Sequence, residues 1–514
     1  MFSPGKLCLI AIRSRLPRCV ANVVVAWSLL WLAIGCSNST SMIPSETGGP
    51  SSNASLKGNY NYVLAGNYFN SSGTGGYERA GVFVADGKGN VTSGVDDLNE
   101  AGSLSSNKFT GSYAIAADGG GLMTVNISNG QQLHLALTIA PNGRVYLIEF
   151  DPTASGSGQA VPQNASALSN TPTGTFVFRL HSYQANLASQ GSVSAVGNMV
   201  LNGGSASGNE DIVRFEALSS LSFTGSFTAP DANGRGTVNL TDSAGFATTY
   251  MYYIVDSQTL NLLETDAAYL GTGSAFAQNG VPFGTESLKN GFTFRSFGDT
   301  QDHQDGVNSA GAFTSDGAGN ITSGDFDSNQ DGVPLQNASL TGTYRVETSG
   351  RVTLNLNPTM PSQTLSPIQE IAWMIDSSRA LFLMNVPGLA EDGRLSQQQG
   401  GPFSASSLNG NYSFLMFGYD QQSPIEIDRV GTMAFDGSST VTLTNYFVNR
   451  GGSRSQTQSS AGNYSVSPNG RLSASINGIS NALVVYLNSS GAGDLILGDT
   501  GDEVSGSIAM VPTP

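Results

Sequence analysis

The chain has 514 residues, more than one hydrophobic core normally holds, so several domains are expected. Charged residues make up 12% and hydrophobic ones 39%, with 64 glycines; this excludes a disordered, charge-rich chain and points to short strands and tight turns. A formal net charge of −16 sets the chain against nucleic acid as a partner, because an acidic surface repels a phosphate backbone.

In chain order, residues 1–36 read as a targeting leader. Lys6, Arg13, Arg15 and Arg18 supply a basic start without acidic residues, and "VANVVVAWSLLWLAIG" supplies an apolar run that ends at Cys36. The stretch "WLAIGCS" resembles the lipobox of bacterial lipoproteins, with Gly35 and Cys36 at its most restrictive positions and Ala33 where leucine is preferred. That resemblance implies cleavage before Cys36 and diacylglycerol on its thiol. Cys8 and Cys19 fall inside the leader, so the mature chain keeps Cys36 as its single cysteine. Ser37 stands where a retention aspartate would sit, so the resemblance further implies sorting to the outer membrane, facing the periplasm or the cell surface. Residues 37–54 contain almost nothing to bury and read as a tether.

Beyond the tether the sequence repeats four times. Each unit opens on an aromatic pair: "LKGNYNY" at Leu56, "TGTFVF" at Thr173, "LKNGFTF" at Leu288 and "LNGNYSF" at Leu408. A glycine-led motif follows midway, "GSY" at Gly111, "GSF" at Gly225, "GTY" at Gly342 and "GNY" at Gly462. The first three units close on a glycine with glutamine five residues later: Gly158 and Gln163, Gly273 and Gln278, Gly393 and Gln398. The fourth has Gly506 but Val511. These marks divide the chain into β-repeats at 55–165, 166–284, 285–404 and 405–514.

Within a unit the apolar period is two. In "LHLALTI", Leu133, Leu135, Leu137 and Ile139 alternate with His134, Ala136 and Thr138, which predicts a half-buried antiparallel strand. The stretch from Ile368, "IQEIAWMIDSSRALFLM", matches "TTYMYYIVDSQTLNLLE" of the second unit, and both are expected as hairpins. The first unit yields about eight strands, starting near Asn59, Arg79, Asn90, Lys108, Gly121, Gln131, Arg144 and Ser157. The fold class is therefore all-β, with four tandem antiparallel meanders. The layout resembles up-and-down barrels of the avidin and lipocalin type in architecture alone; a two-layer sandwich is the alternative.

Two copies of one turn motif, "ADGKGNVTSG" at Ala85 and "SDGAGNITSG" at Ser315, raise the question of a phosphate loop. No helix follows either copy, so a hairpin turn is the expected role. "DSNQDG" fits the start of a calcium loop, with Asp327, Asn329 and Asp331 as alternate oxygen ligands. The EF-hand position for glutamate holds Ala338, which leaves a loose Ca²⁺ site or a solvated hairpin tip. Carboxylate pairs recur as Glu149 with Asp151 and Glu264 with Asp266, a pattern that could act on a sugar but more simply marks solvated strand ends. The three histidines, His134, His181 and His303, fall at unrelated places, and only His134 can be placed on a strand. Trp373, the one mature tryptophan, is expected in a core.

The resulting expectation is a lipid-anchored envelope protein without catalysis, in a structural, adhesive or glycan-binding role, with a glycan or another surface protein as partner. The alternative is a carrier holding a small apolar ligand inside each barrel, where Ala85 and Ala117 would leave room. A glycoside-active enzyme ranks third, for want of a clustered acid, base or nucleophile.

Overall fold

A computed structural model describes residues 53–70, 73–185, 191–214, 217–300, 306–361, 363–420, 425–500 and 502–510. The leader, Cys36, His303, Val511 and most of the tether lie outside the described residues. Thirty-two antiparallel strands form four closed barrels of eight strands, at 57–162, 174–277, 289–397 and 409–510. Each barrel is a meander whose eighth strand pairs with its first, so barrel closure holds and the sandwich does not. The hairpin expected from Ile368 is present as Ile368–Asp376 and Arg379–Asn385. In barrel 1 the second and fourth strands start earlier than expected, at Gly73 and Ser103. Their first residues lack apolar alternation, yet they complete the ladders to Asn70 and Glu100.

The repeat marks now acquire physical reasons. A Cβ on Gly158, Gly273, Gly393 or Gly506 would lie 1.9–2.3 Å from a carbonyl oxygen of the first strand, so closure needs glycine there. The same holds for Gly111, Gly225, Gly342 and Gly462 against the fifth strand, at 1.9–2.4 Å. Leu56, Leu288 and Leu408 are fully buried and plug one end of barrels 1, 3 and 4. Tyr113 and Tyr344 donate from their hydroxyls to the Leu56 and Leu288 carbonyls at 2.6 and 2.7 Å. The second unit has Phe227 in place of that tyrosine and lacks the leucine; the two are lost together. The repeated turn lies at this plugged end. Asp86 Oδ1 accepts the Lys88 and Asn90 amides at 2.7 and 3.0 Å, and Asp316 does the same for Ala318 and Asn320. It is a hairpin turn ordered by its own aspartate.

Eight apolar clusters organise the molecule. Four fill the barrels. The other four lie between barrels 1 and 2, 2 and 3, 3 and 4, and also 4 and 1. In every case the first two strands of one barrel pack on the sixth to eighth strands of the next. Such a head-to-tail contact closes into a ring when its rotation allows, and here one chain closes a ring of four.

The closing glutamines explain the order. Gln163 Nε2 donates to Ile254 O at 2.7 Å in barrel 2. Gln278 donates to Ser349 O and Met374 O of barrel 3, and Gln398 to Asn469 O and Leu487 O of barrel 4. Each is a linker residue that docks on the following barrel.

Three of the four contacts share one ionic lock. Asp97, Asp211 and Asp327 leave the third strand of barrels 1, 2 and 3 and meet Arg235, Arg351 and Arg471 of the next barrel at 2.6–2.7 Å. An aromatic donor completes each lock: the hydroxyls of Tyr253 and Tyr486, and Trp373 Nε1, which is 2.9 Å from Asp211. Trp373 is thus buried as expected, but between barrels rather than inside one. Burial would otherwise make each carboxylate costly, so the bidentate arginine is what permits it. At the contact from barrel 4 to barrel 1 the matching residues are Phe447, Gly120 and Thr138. Phe447 packs on Phe150 with ring centroids 5.6 Å apart. The lock is replaced as a set.

Candidate functional site at the polar ends of the barrels

Opposite the plug, each barrel interior changes from apolar to ionisable. In barrel 1, Tyr77 donates to Glu149 and Tyr62 to Asp96, while Arg79 pairs with Asp96 at 2.6 Å. Burial pushes Glu149 up to about 7, against the opposing pull of Arg79. Glu149 is 6% exposed, so this strand-end acid is enclosed rather than solvated.

Barrel 2 encloses a cavity of about 40 Å³ among Glu210, Arg214, Asp242, Tyr250 and Glu264. Ser182 Oγ donates to Glu264 at 2.5 Å, and the Arg214 guanidinium lies 4.0 Å from the Phe246 ring centre. Burial raises Glu264 to about 8 and Glu210 to about 7. The cavity has room for about three waters, far below the roughly 300 Å³ at which ligand pockets begin. Ala85 packs into the barrel 1 core and Ala117 is exposed in a turn, so neither opens an interior. The carrier reading loses its cavity in barrel 2 and its small-residue argument in barrel 1.

In barrel 3 the deep acid has changed strands. Leu135 faces Glu149 and Tyr250 faces Glu264, whereas Glu370 faces Met384 with the roles reversed. Glu370 is fully buried with neither oxygen hydrogen-bonded, and burial, then Glu391, raises it to about 8. Glu391 accepts from Ser296 Oγ at 2.6 Å.

Barrel 4 differs from the rest. Leu483 and Leu497 occupy the paired acid positions, and the polar end opens as a cleft of about 350 Å³. Asp420, Arg450, Ser480, Asp499, Thr500 and Asp502 line it, over Ile476 and Ile479. Arg450 pairs with Asp420, and Arg429 with Asp502 at 3.0 Å. These groups offer fixed hydrogen-bond acceptors and donors above an apolar floor, which suits a neutral polyhydroxyl ligand. Of them the sequence marks Asp499 alone, near the place in the fourth unit where the Glu149/Asp151 and Glu264/Asp266 pairs fall; the others come from four separate strand ends that only closure brings together.

The remaining expected residues have other places. Asp327 is held by Arg471 and Tyr486, and Asn329 Nδ2 lies 3.0 Å from the carbonyls of Leu497, Asp499 and Asp502 in barrel 4. Asp331 is exposed in the turn with φ of 52°. Two of the three are thus interface groups, and among the described residues no cluster of three or more His, Cys, Asp or Glu could hold a metal. His134 pairs with Asp151 at 2.7 Å on the surface. His181 lies on a strand as well, contrary to expectation, with Nδ1 2.7 Å from Asp392 of barrel 3. Burial alone would lower it, but Asp392 and Asp299 outweigh that and raise it to about 10.

No family model matches the chain, and no curated protein matches its sequence. Among solved structures, intact Ap-TbpB with its N and C lobes is similar at 7% identity and a TM-score of 0.19, over 88% of this chain and 95% of that one. A tryptophan-to-alanine mutant of transferrin binding protein B from Haemophilus parasuis gives 9% and 0.19, over 87% and 94%. The isotype 1 protein from serogroup B Neisseria meningitidis gives 8% and 0.18, over 73% and 85%. TM-scores this low do not place the chain in that family.

Proposed function

We propose that the chain is a lipid-anchored, non-catalytic protein of the cell envelope that binds a glycan in the polar cleft of barrel 4. The observation that carries this reading is the contrast between that cleft of about 350 Å³ and the cavity of about 40 Å³ in barrel 2. The leader and Cys36 support the anchor, and the closed ring supports a rigid presenting scaffold. Catalysis finds little support: Glu149 and Glu264 are both buried, and each lies in a different barrel.

The test is a glycan array on residues 37–514, run with Ca²⁺ and with chelator, for the native sequence and for Thr500→Trp. Thr500 is exposed at the cleft, so the indole fills it without disturbing the core. Native binding that falls at least about tenfold in the variant, or about 1.4 kcal/mol, is the expected result. Binding unaffected by Thr500→Trp, or no binding to any glycan, would overturn the reading. Loss with chelator would return Asp327, Asn329 and Asp331 to consideration as a Ca²⁺ site.

A further inference from the structure

The contact from barrel 4 to barrel 1 differs from the others in a second way. Among the described residues, ion pairs cross each of the three linked contacts, and none crosses this one. Instead the second strand of barrel 4 turns two carboxyls, Glu426 and Asp428, toward barrel 1. Glu426 Oε2 accepts the Asn67 amide at 2.9 Å and Asn67 Nδ2 at 3.0 Å. Asp428 Oδ2 accepts Ser155 Oγ at 2.6 Å, and its other oxygen is buried without a hydrogen-bond partner. All the donors are neutral.

Among the described residues, the one cation that acts on the pair, Arg429 on Asp428, makes its ion pair elsewhere. Tyr77 and Glu149 face the pair from barrel 1, Tyr183 from barrel 2, Asp299 and Tyr419 from barrels 3 and 4. Arg429, next in sequence to Asp428, turns into barrel 4 and is held by Asp502. Arg454 does cross the contact, but it donates to the Phe150 carbonyl at 2.9 Å. Beyond the pair, Asn445 and Asp118 are hydrogen-bonded, Asn449 Nδ2 donates to the carbonyls of Glu149, Asp151 and Ala154, Ser413 and Thr432 donate to the Ile139 and Asp118 carbonyls, and Phe447, Phe150 and their neighbours form the apolar part.

We infer that the contact between barrels 4 and 1 is a proton-dependent latch, closed while Glu426 and Asp428 are protonated and released when they ionise, with the three linked contacts intact. Burial raises both carboxyls first; Asp428 then adds to the rise of Glu426, while at Asp428 the hydrogen bonds from barrel 1 and the Arg429 charge oppose burial and Glu149. The sign follows from linkage. A carboxyl raised in the closed form binds its proton there more tightly than in the open form, so closure is favoured in acid and lost as pH rises through the raised value. At the contact from barrel 1 to barrel 2 burial likewise raises Glu78, to about 8, but that contact keeps its Asp97–Arg235 lock. An arginine stays charged throughout this range, and His181 keeps its proton to about 10, so the three locks hold.

Small-angle scattering of residues 37–514 from about pH 5 to about pH 9 tests this, with circular dichroism to show that strand content is kept. The expected result is a radius of gyration that grows with pH in the native chain and stays constant in Glu426→Gln/Asp428→Asn. No growth in the native chain, or equal growth in the variant, would overturn the latch. Should the variant not fold, exchange of the Asn67 amide decides in the native chain. Protection lost with pH, beyond the intrinsic rise and beyond amides at the linked contacts, supports the latch; parallel behaviour refutes it.

Discussion

The contact from barrel 3 to barrel 4 and the contact from barrel 4 to barrel 1 have the same geometry and opposite chemistry. The first buries Asp327 against Arg471 and Tyr486; the second sets Phe447 where Asp327 would be and Gly120 where Arg471 would be. Next to each lies a hydrogen-bonded amide and acid, Asn469 with Asp325 in one, Asn445 with Asp118 in the other, with the two residue types exchanged across the contact. The difference teaches how a series of four similar units marks its two ends. Docking barrel 4 on the face meant for barrel 1, 2 or 3 would bury an arginine without a carboxylate. Docking barrel 3 on barrel 1 would bury an aspartate without an arginine. Either error is penalised by an unpaired buried charge, so specificity comes as much from rejection as from fit.

That comparison can be broken most severely on its ionic side. Asp327→Ala leaves the Arg471 guanidinium, about nine-tenths buried, without its counter-charge, and is predicted to cost about 3–5 kcal/mol in chemical unfolding. A change below about 1 kcal/mol would show that the lock is ornamental to stability. The apolar side offers a conversion. Phe447→Asp is predicted to destabilise by about 3 kcal/mol alone, and Gly120→Arg in the same chain to recover at least about 1 kcal/mol of it. A Cβ on Gly120 meets its nearest atom at 3.4 Å, so the arginine can be introduced without backbone strain. Additive losses in the double variant would mean that the two positions do not face each other. The smallest effect tests the linkers: Gln278→Ala removes two hydrogen bonds of 2.9 Å, predicting a loss of about 1–2 kcal/mol with an unchanged denaturant slope.

The sequence was most legible where one strand reports on itself. Alternation in "LHLALTI" and the turn chemistry of "ADGKGN" lead to strands and hairpins without knowledge of the rest, and the fourfold repeat leads to four barrels. The ring was less legible because its signals are split between units. Arginine is kept at 235, 351 and 471 and replaced by Gly120, while aspartate is kept at 97, 211 and 327 and replaced by Phe447. The two exceptions fall at opposite ends of the chain, as a head-to-tail series that closes on itself requires. Gln163, Gln278 and Gln398 gave the same hint, each belonging in space to the barrel that follows. The candidate cleft was hardest to see: Asp420, Arg450, Ser480 and Asp502 lie on four strand ends and share no spacing. Glu370 escaped notice for a subtler reason, since an acid moved to the neighbouring strand keeps its height in the barrel and loses its place in the repeat.

An even number of strands per barrel has one more consequence. Eight crossings return the chain to the side from which it entered, so every linker runs on the plugged side and all four polar ends face the other. The array therefore has a back and a front. The first strand of barrel 1 starts on the back, and the cleft of barrel 4 lies on the front. Parity alone therefore sets the cleft and the chain's entry into the array on opposite faces.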